Sequence, residues 1–133
     1  MCPSSNRRKT ISGGLRVLLA EDHPLMRQAM CTILEGYSDV SIIGEASNGV
    51  EAVELASLLR PDVVIMDINM PRMDGVEATR RIKATQPSLI VIGLSVNDTG
   101  QVIEAMKGAG ADAVLLKDAA TEQLYDAIVA LTD

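Results

Sequence analysis

Val63-Val64-Ile65-Met66 is an apolar, largely β-branched run without polar alternation, and it ends on an acid, Asp67. A strand with no alternation has no face to offer water, which is the pattern of an interior strand in a parallel sheet covered on both sides. Pro61 precedes the run, and Pro71 and Gly75 mark the loop after it. An ionised carboxylate at the mouth of such a strand is costly to desolvate unless a cation or hydrogen-bond donors meet it there. The rest of the chain must supply those partners.

Strand-like and helix-like stretches alternate five times. The expected strands are Leu15–Ala20, Val40–Ala46, Val63–Met66, Leu89–Ser95 and Ala113–Leu116. Pro24 suits the first position of a helix that carries Leu25, Met26, Ala29, Met30, Ile33 and Leu34 on one face and ends at Gly36. Asn48 with Glu51, Asp74 with Glu77 and Asp98 with Gln101 repeat one capping pattern at the starts of the next three helices. Thr121 is expected to open the last, with Leu124, Ile128 and Leu131 at helical spacing. Strand and helix in strict alternation give an α/β, doubly wound parallel sheet with helices on both faces.

With 133 residues and 47% hydrophobic content, the chain has material for one core and no second domain. That core is aliphatic, because there is no Trp or Phe and only two Tyr, and the same shortage excludes aromatic stacking on bases. Arg7, Arg8 and Lys9 put three positive charges into the first 14 residues, so the remainder carries −9 against the net −6 of the whole. Such a body has no bulk attraction for nucleic acid, and residues 1–14 read as a disordered lead-in or linker before a domain over 15–133. Cys2 and Cys31 are too few for a disulfide framework, which points to reduced thiols and a cytoplasmic protein. No apolar run approaches the roughly 18 residues of a membrane span, and the polar N-terminus has no signal-peptide centre.

In an open doubly wound sheet the ligand crevice lies beyond the carboxyl ends of the strands. Glu21 and Asp22 follow the first strand, Asp67 the third, Ser95 ends the fourth and Lys117 follows the fifth. Each residue alone reads as a turn former or a solvated charge. Together they place three carboxylates, a hydroxyl and an ammonium at one edge. Clustered carboxylates repel unless a hard cation offsets them, and oxygen ligands favour Mg²⁺ (or Mn²⁺), held by Asp22 and Asp67 with a loop carbonyl. An aspartate beside such an ion, a lysine and a hydroxyl is equipped to attack phosphorus and become an aspartyl phosphate. His23 reads as part of the turn before Pro24 and not as a ligand.

Glu21-Asp22-His23-Pro24-Leu25-Met26-Arg27, Asp67 through Gly75, Leu94-Ser95 and Leu115-Leu116-Lys117-Asp118 resemble, in order and spacing, the receiver domain of two-component response regulators, the NarL/FixJ type above all. The resemblance covers about residues 15–131. It implies a flavodoxin-like fold with strand order 2-1-3-4-5 and no turnover beyond self-phosphorylation and self-dephosphorylation. It also implies that Asp67 is the phosphoacceptor, that Asp22, Asp67 and the Asn69 carbonyl hold the metal with Glu21 acting through water, and that Ser95 and Lys117 meet the phosphoryl oxygens. The partners it implies are a sensor histidine kinase or phosphotransfer domain, a linked output domain, and a second copy through the face of the fourth helix, fifth strand and fifth helix.

Three positions depart from the family pattern. Val114 stands where an aromatic or His is usual, Val96 is bulkier than the usual Ala or Gly and is expected to narrow access to Asp67, and Asp118 replaces the proline that often follows the lysine in a cis peptide. A trans bond is therefore expected at Lys117–Asp118. Two rival functions fit less well. A phosphatase of the haloacid dehalogenase type needs a second Asp where Asn69 stands, and a pseudo-receiver that only binds partners would be expected to lack some of these acids or the lysine.

Overall fold

The computed structural model describes residues 14–96 and 100–132 of the chain. Ten elements alternate along it: β1 (Leu15–Ala20), α1 (Pro24–Glu35), β2 (Val40–Ala46), α2 (Gly49–Leu59), β3 (Val63–Asp67), α3 (Gly75–Thr85), β4 (Ile90–Ser95), α4 (Gly100–Ala109), β5 (Ala113–Leu116) and α5 (Lys117–Thr132). The strands form one parallel sheet in the order β2-β1-β3-β4-β5. Two expectations, the disordered lead-in over residues 1–14 (all but Gly14) and the Asp98 cap, fall outside the described residues.

All five residues of β3 are buried, as its unalternating run requires. Alternate residues of β1 and β3 feed opposite cores. Leu18, Ala20, Val64 and Met66 pack with Ala52 and Ala56 of α2, Ala78 and Ile82 of α3 and Met106 of α4. Val17, Leu19, Val63 and Ile65 pack with Met30 and Leu34 of α1 and Leu124 and Ile128 of α5. The sheet is thus the middle of three layers.

Local signals set most helix starts. The side chains of Asn48 and Asp74 accept from the backbone N–H of Glu51 and Glu77 at 2.9 Å each, as the spacing predicts. The last helix differs: α5 begins at Lys117, four residues before Thr121. The backbone passes from strand to helix without a loop, and Asp118 in the first turn complements the helix dipole there. Cys31 is buried and disulfide-bonded, contrary to the reduced thiol expected. Two cysteines are too few for a framework, but that count does not bear on a single bond. No helix among the described residues is long and apolar enough to cross a membrane.

Candidate functional site

The carboxyl edge of the sheet gathers Glu21, Asp22, Asp67, Ser95 and Lys117. Glu21 follows β1 and is pinned by its N–H to the Ala46 carbonyl at 3.0 Å. Asp67 closes β3 opposite Leu94, and the next N–H, that of Ile68, binds the Leu94 carbonyl at 3.0 Å. Ser95 is buried at the end of β4 and pairs in register with Leu116, the residue before Lys117. The lysine thereby starts beside the hydroxyl and reaches inward.

Its ammonium lies 3.0 Å from Glu21 Oε1, 3.2 Å from Glu21 Oε2 and 3.1 Å from Asp67 Oδ2. Asp67 Oδ1 accepts the N–H of Asn69 at 3.2 Å, a short loop bond that holds the carboxylate in one orientation. Asn69 itself is exposed. The loop is pressed against the strand by Gly75, whose N–H binds the Ile68 carbonyl at 2.7 Å, and a Cβ there would stand 2.2 Å from the Asp67 carbonyl oxygen. Gly49 is equally tight, since a Cβ on it would stand 2.0 Å from the Met73 carbonyl oxygen. Both glycines are needed for close backbone approach.

The electrostatics follow from burial with too little positive charge. Burial and the neighbouring Glu21 charge push the Asp67 carboxyl up to about 7, and Lys117 only partly offsets them. Burial also acts to raise Glu21, but hydrogen bonds from His23 and Lys117 outweigh it and hold Glu21 below its usual value. For Lys117, burial is opposed and exceeded by the two carboxylates, so its pKa is raised. The hydrogen bond to Glu21 and the Asp22 charge raise His23.

Glu21, Asp22, His23 and Asp67 each offer a ligand atom, and these atoms all lie within 4.8 Å of one another. Buried Asp67 Oδ2 lies 3.1 Å from the Lys117 ammonium and buried Asp22 Oδ1 lies 3.2 Å from His23 Nδ1. Oxygen atoms of this kind, short of neutralising charge, fit a hard divalent ion.

Two further side chains reach the cluster: His23, which the sequence assigns to the turn alone, and Arg27, which it does not single out. His23 Nδ1 lies 2.8 Å from Glu21 Oε2 and 3.2 Å from Asp22 Oδ1, turned into the cluster. Arg27 donates to the Glu21 carbonyl at 2.8 Å and lies 3.3 Å from Glu45 Oε1. The available signal was spacing: residue 27 is one helical turn beyond His23, so it returns to the same strand end. Val96, expected to crowd Asp67, is 57% exposed, because it lies just past the end of β4. No cis peptide bond occurs among the described residues.

The chain is 43% identical over 129 residues to protein-glutamate methylesterase/protein-glutamine glutaminase 4 of Myxococcus xanthus, covering 90% of this chain and 36% of that protein. It is 42% identical over 118 residues to the transcriptional regulatory protein LiaR of Bacillus subtilis, covering 86% and 54%. To the nitrate/nitrite response regulator protein NarL of Escherichia coli it is 38% identical over 113 residues, covering 84% and 52%. The chain thus spans about half or less of the length of these relatives. Among solved structures, the signal receiver domain of the putative response regulator NarL from Mycobacterium tuberculosis superposes with a TM-score of 0.84 at 30% identity, covering 88% of this chain and 94% of that one. The family described as response regulator receiver domain matches residues 17–129, a span that touches all ten elements. The chain belongs to that family.

Proposed function

We propose that this receiver domain is a phosphoacceptor of a cytoplasmic two-component relay, in which Asp67 takes a phosphoryl group from a phosphohistidine on a sensor histidine kinase or phosphotransfer domain. The observation that carries the reading is Lys117 Nζ, 3.1 Å from Asp67 Oδ2 and 3.0 Å from Glu21 Oε1, inside a cluster of acids at the end of a buried strand. An oxygen of ionised Asp67 forms the new bond to phosphorus while the phosphorus–nitrogen bond of the donor breaks. The electron pair of that bond stays on the imidazole, which takes a proton from water. Lys117 is held where it opposes charge on the phosphoryl oxygens, and Ser95 stands at the neighbouring strand end to donate to them.

Asp22, Asp67 and the Asn69 carbonyl would hold Mg²⁺ (or Mn²⁺), with Glu21 acting through water. The ion, when bound, neutralises further charge on the transferring group. Asn69 stands two residues beyond Asp67 and has no proton to give as a general acid, which favours a lasting phosphoprotein over a phosphatase. The modified domain then switches a linked output domain or a partner, with the face of α4, β5 and α5 as its readout and its surface for a second copy.

Intact-mass measurement after treatment with acetyl phosphate and Mg²⁺ is expected to show one added phosphoryl group. Chelation of the metal or Asp67→Asn is expected to abolish it. An unmodified mass with acetyl phosphate and with phosphohistidine donors would overturn the reading.

A further inference from the structure

We infer that His23 makes this site a mixed nitrogen–oxygen centre, open to borderline divalent ions such as Co²⁺ and Zn²⁺ through imidazole Nδ1 together with Asp22 and Asp67. The inference rests on the metal site of the phosphoacceptor reading and adds a ligand to it.

In an octahedron with bonds of about 2.1 Å, adjacent ligand atoms lie about 3.0 Å apart and opposite ones about 4.2 Å. His23 Nδ1 stands 2.8 Å from Glu21 Oε2 and 3.2 Å from Asp22 Oδ1, the separations of adjacent ligands. The four ligand atoms all lie within 4.8 Å of one another, and a pair at that limit on opposite sides of an ion would close by about 0.6 Å. Asp67 is 1% exposed, and its Oδ2 faces the cluster, 3.1 Å from the Lys117 ammonium.

The ring caps nothing, and its Nδ1 is shared between the two carboxylates of Glu21 and Asp22. His23 is the N-cap of α1, yet its side chain makes no capping bond, and it is 63% exposed. Its contacts to the two carboxylates place Nδ1 where a proton or a metal ion must stand between nitrogen and oxygen. A set of oxygens alone suits Mg²⁺, whereas adding one imidazole shifts preference toward later first-row ions and Zn²⁺. A bound ion takes the place of the proton between Nδ1 and Glu21 Oε2, and Glu21 keeps its contact with Lys117.

His23 is the single histidine of the chain, so any imidazole signal reports this residue. The test uses the full untagged chain, with Zn²⁺, Co²⁺ and Mg²⁺ titrated by calorimetry and Co²⁺ also followed by its visible absorption. His23→Ala and His23→Gln are expected to fold, since the ring is exposed and caps nothing. Each is expected to lose at least tenfold more affinity for Zn²⁺ and Co²⁺ than for Mg²⁺. In ¹⁵N-labelled protein, Zn²⁺ is expected to shift Nδ1 strongly and leave Nε2 the protonated nitrogen. Zn²⁺ binding that ignores both substitutions, falls no more than Mg²⁺ binding, or leaves the ring nitrogens unmoved overturns the inference while the oxygen site stands. If Mg²⁺ fails to bind as well, and acetyl phosphate adds no mass, the phosphoacceptor reading falls with it.

Discussion

A buried carboxyl held up at about 7 has a cost that can be measured. In an unfolded chain Asp titrates near 3.9, so between roughly pH 4 and pH 7 the unfolded state has lost a proton that the folded state keeps. Stability therefore falls as pH rises through this window, and the full cost is present above it. Asp67→Asn, which cannot ionise, is expected to stabilise the metal-free fold by at least ~1 kcal/mol at pH 8, with the gain shrinking toward pH 4. Urea unfolding at the two pH values checks this; an equal effect at both would contradict it. Lys117→Ala acts in the opposite sense by leaving two buried carboxylates uncompensated, so it is expected to lower stability, retain Mg²⁺ and lose phosphoryl uptake. Asp22→Ala is expected instead to weaken Mg²⁺ binding, and an unchanged titration would refute its place on the metal. That these side chains meet was legible in the sequence, because every strand of a parallel sheet delivers its carboxyl end to one edge. The partnership of Lys117 with Glu21 was not, since 96 residues separate them and periodicity does not say where a side chain turns. For His23 the turn was readable, as its place at the N-cap of α1 shows, and the direction of its ring was not.

At the scale of elements, the loop between β3 and α3 has no slack. Gly75→Ala would drive a Cβ to 2.2 Å from the carbonyl oxygen of Asp67 itself, so backbone must move against backbone. This substitution is expected to cost about 3 kcal/mol and to weaken Mg²⁺ binding, because the displaced strand end carries Asp67, the proposed phosphoacceptor. Gly108 provides the contrast. It sits in α4 with nothing within 4 Å of where a Cβ would stand, and Gly108→Ala is expected to stabilise the helix by about 0.5–1 kcal/mol. Denaturation midpoints of the two variants should move in opposite directions. The caps at Asn48 and Asp74 were legible because a side chain and an N–H three residues on satisfy each other locally. The start of α5 was not, since Thr121 offers a plausible local cap while the true start is set by β5 running straight into the helix.

For the whole molecule, five strand–helix units sufficed to indicate a layered parallel sheet, whereas the order 2-1-3-4-5 came from resemblance, because periodicity does not rank strands. The same pattern places Val114 of β5 against the core shared with α4, where buried Met106 occupies the space over Gly93. With an aliphatic side chain at that position and a filled neighbour, the molecule has no ring to rotate between two packings. Addition of beryllofluoride with Mg²⁺ is expected to shift backbone amides of α4 and β5 less than it does in a Val114→Tyr variant. Equal shifts in both would show that the aromatic is dispensable. Lys117 adds a mechanical consequence. It is the first residue of α5 and directly follows the last residue of β5, so no hinge separates the charged end from a rod of 16 residues, about 24 Å long. A tilt of about 5° at that fulcrum sweeps the far tip through about 2 Å. Leverage runs both ways: a grip on the outer half of the rod would set how far the ammonium can reach, so a partner docked there would be coupled to the proposed chemistry at the opposite end without touching it.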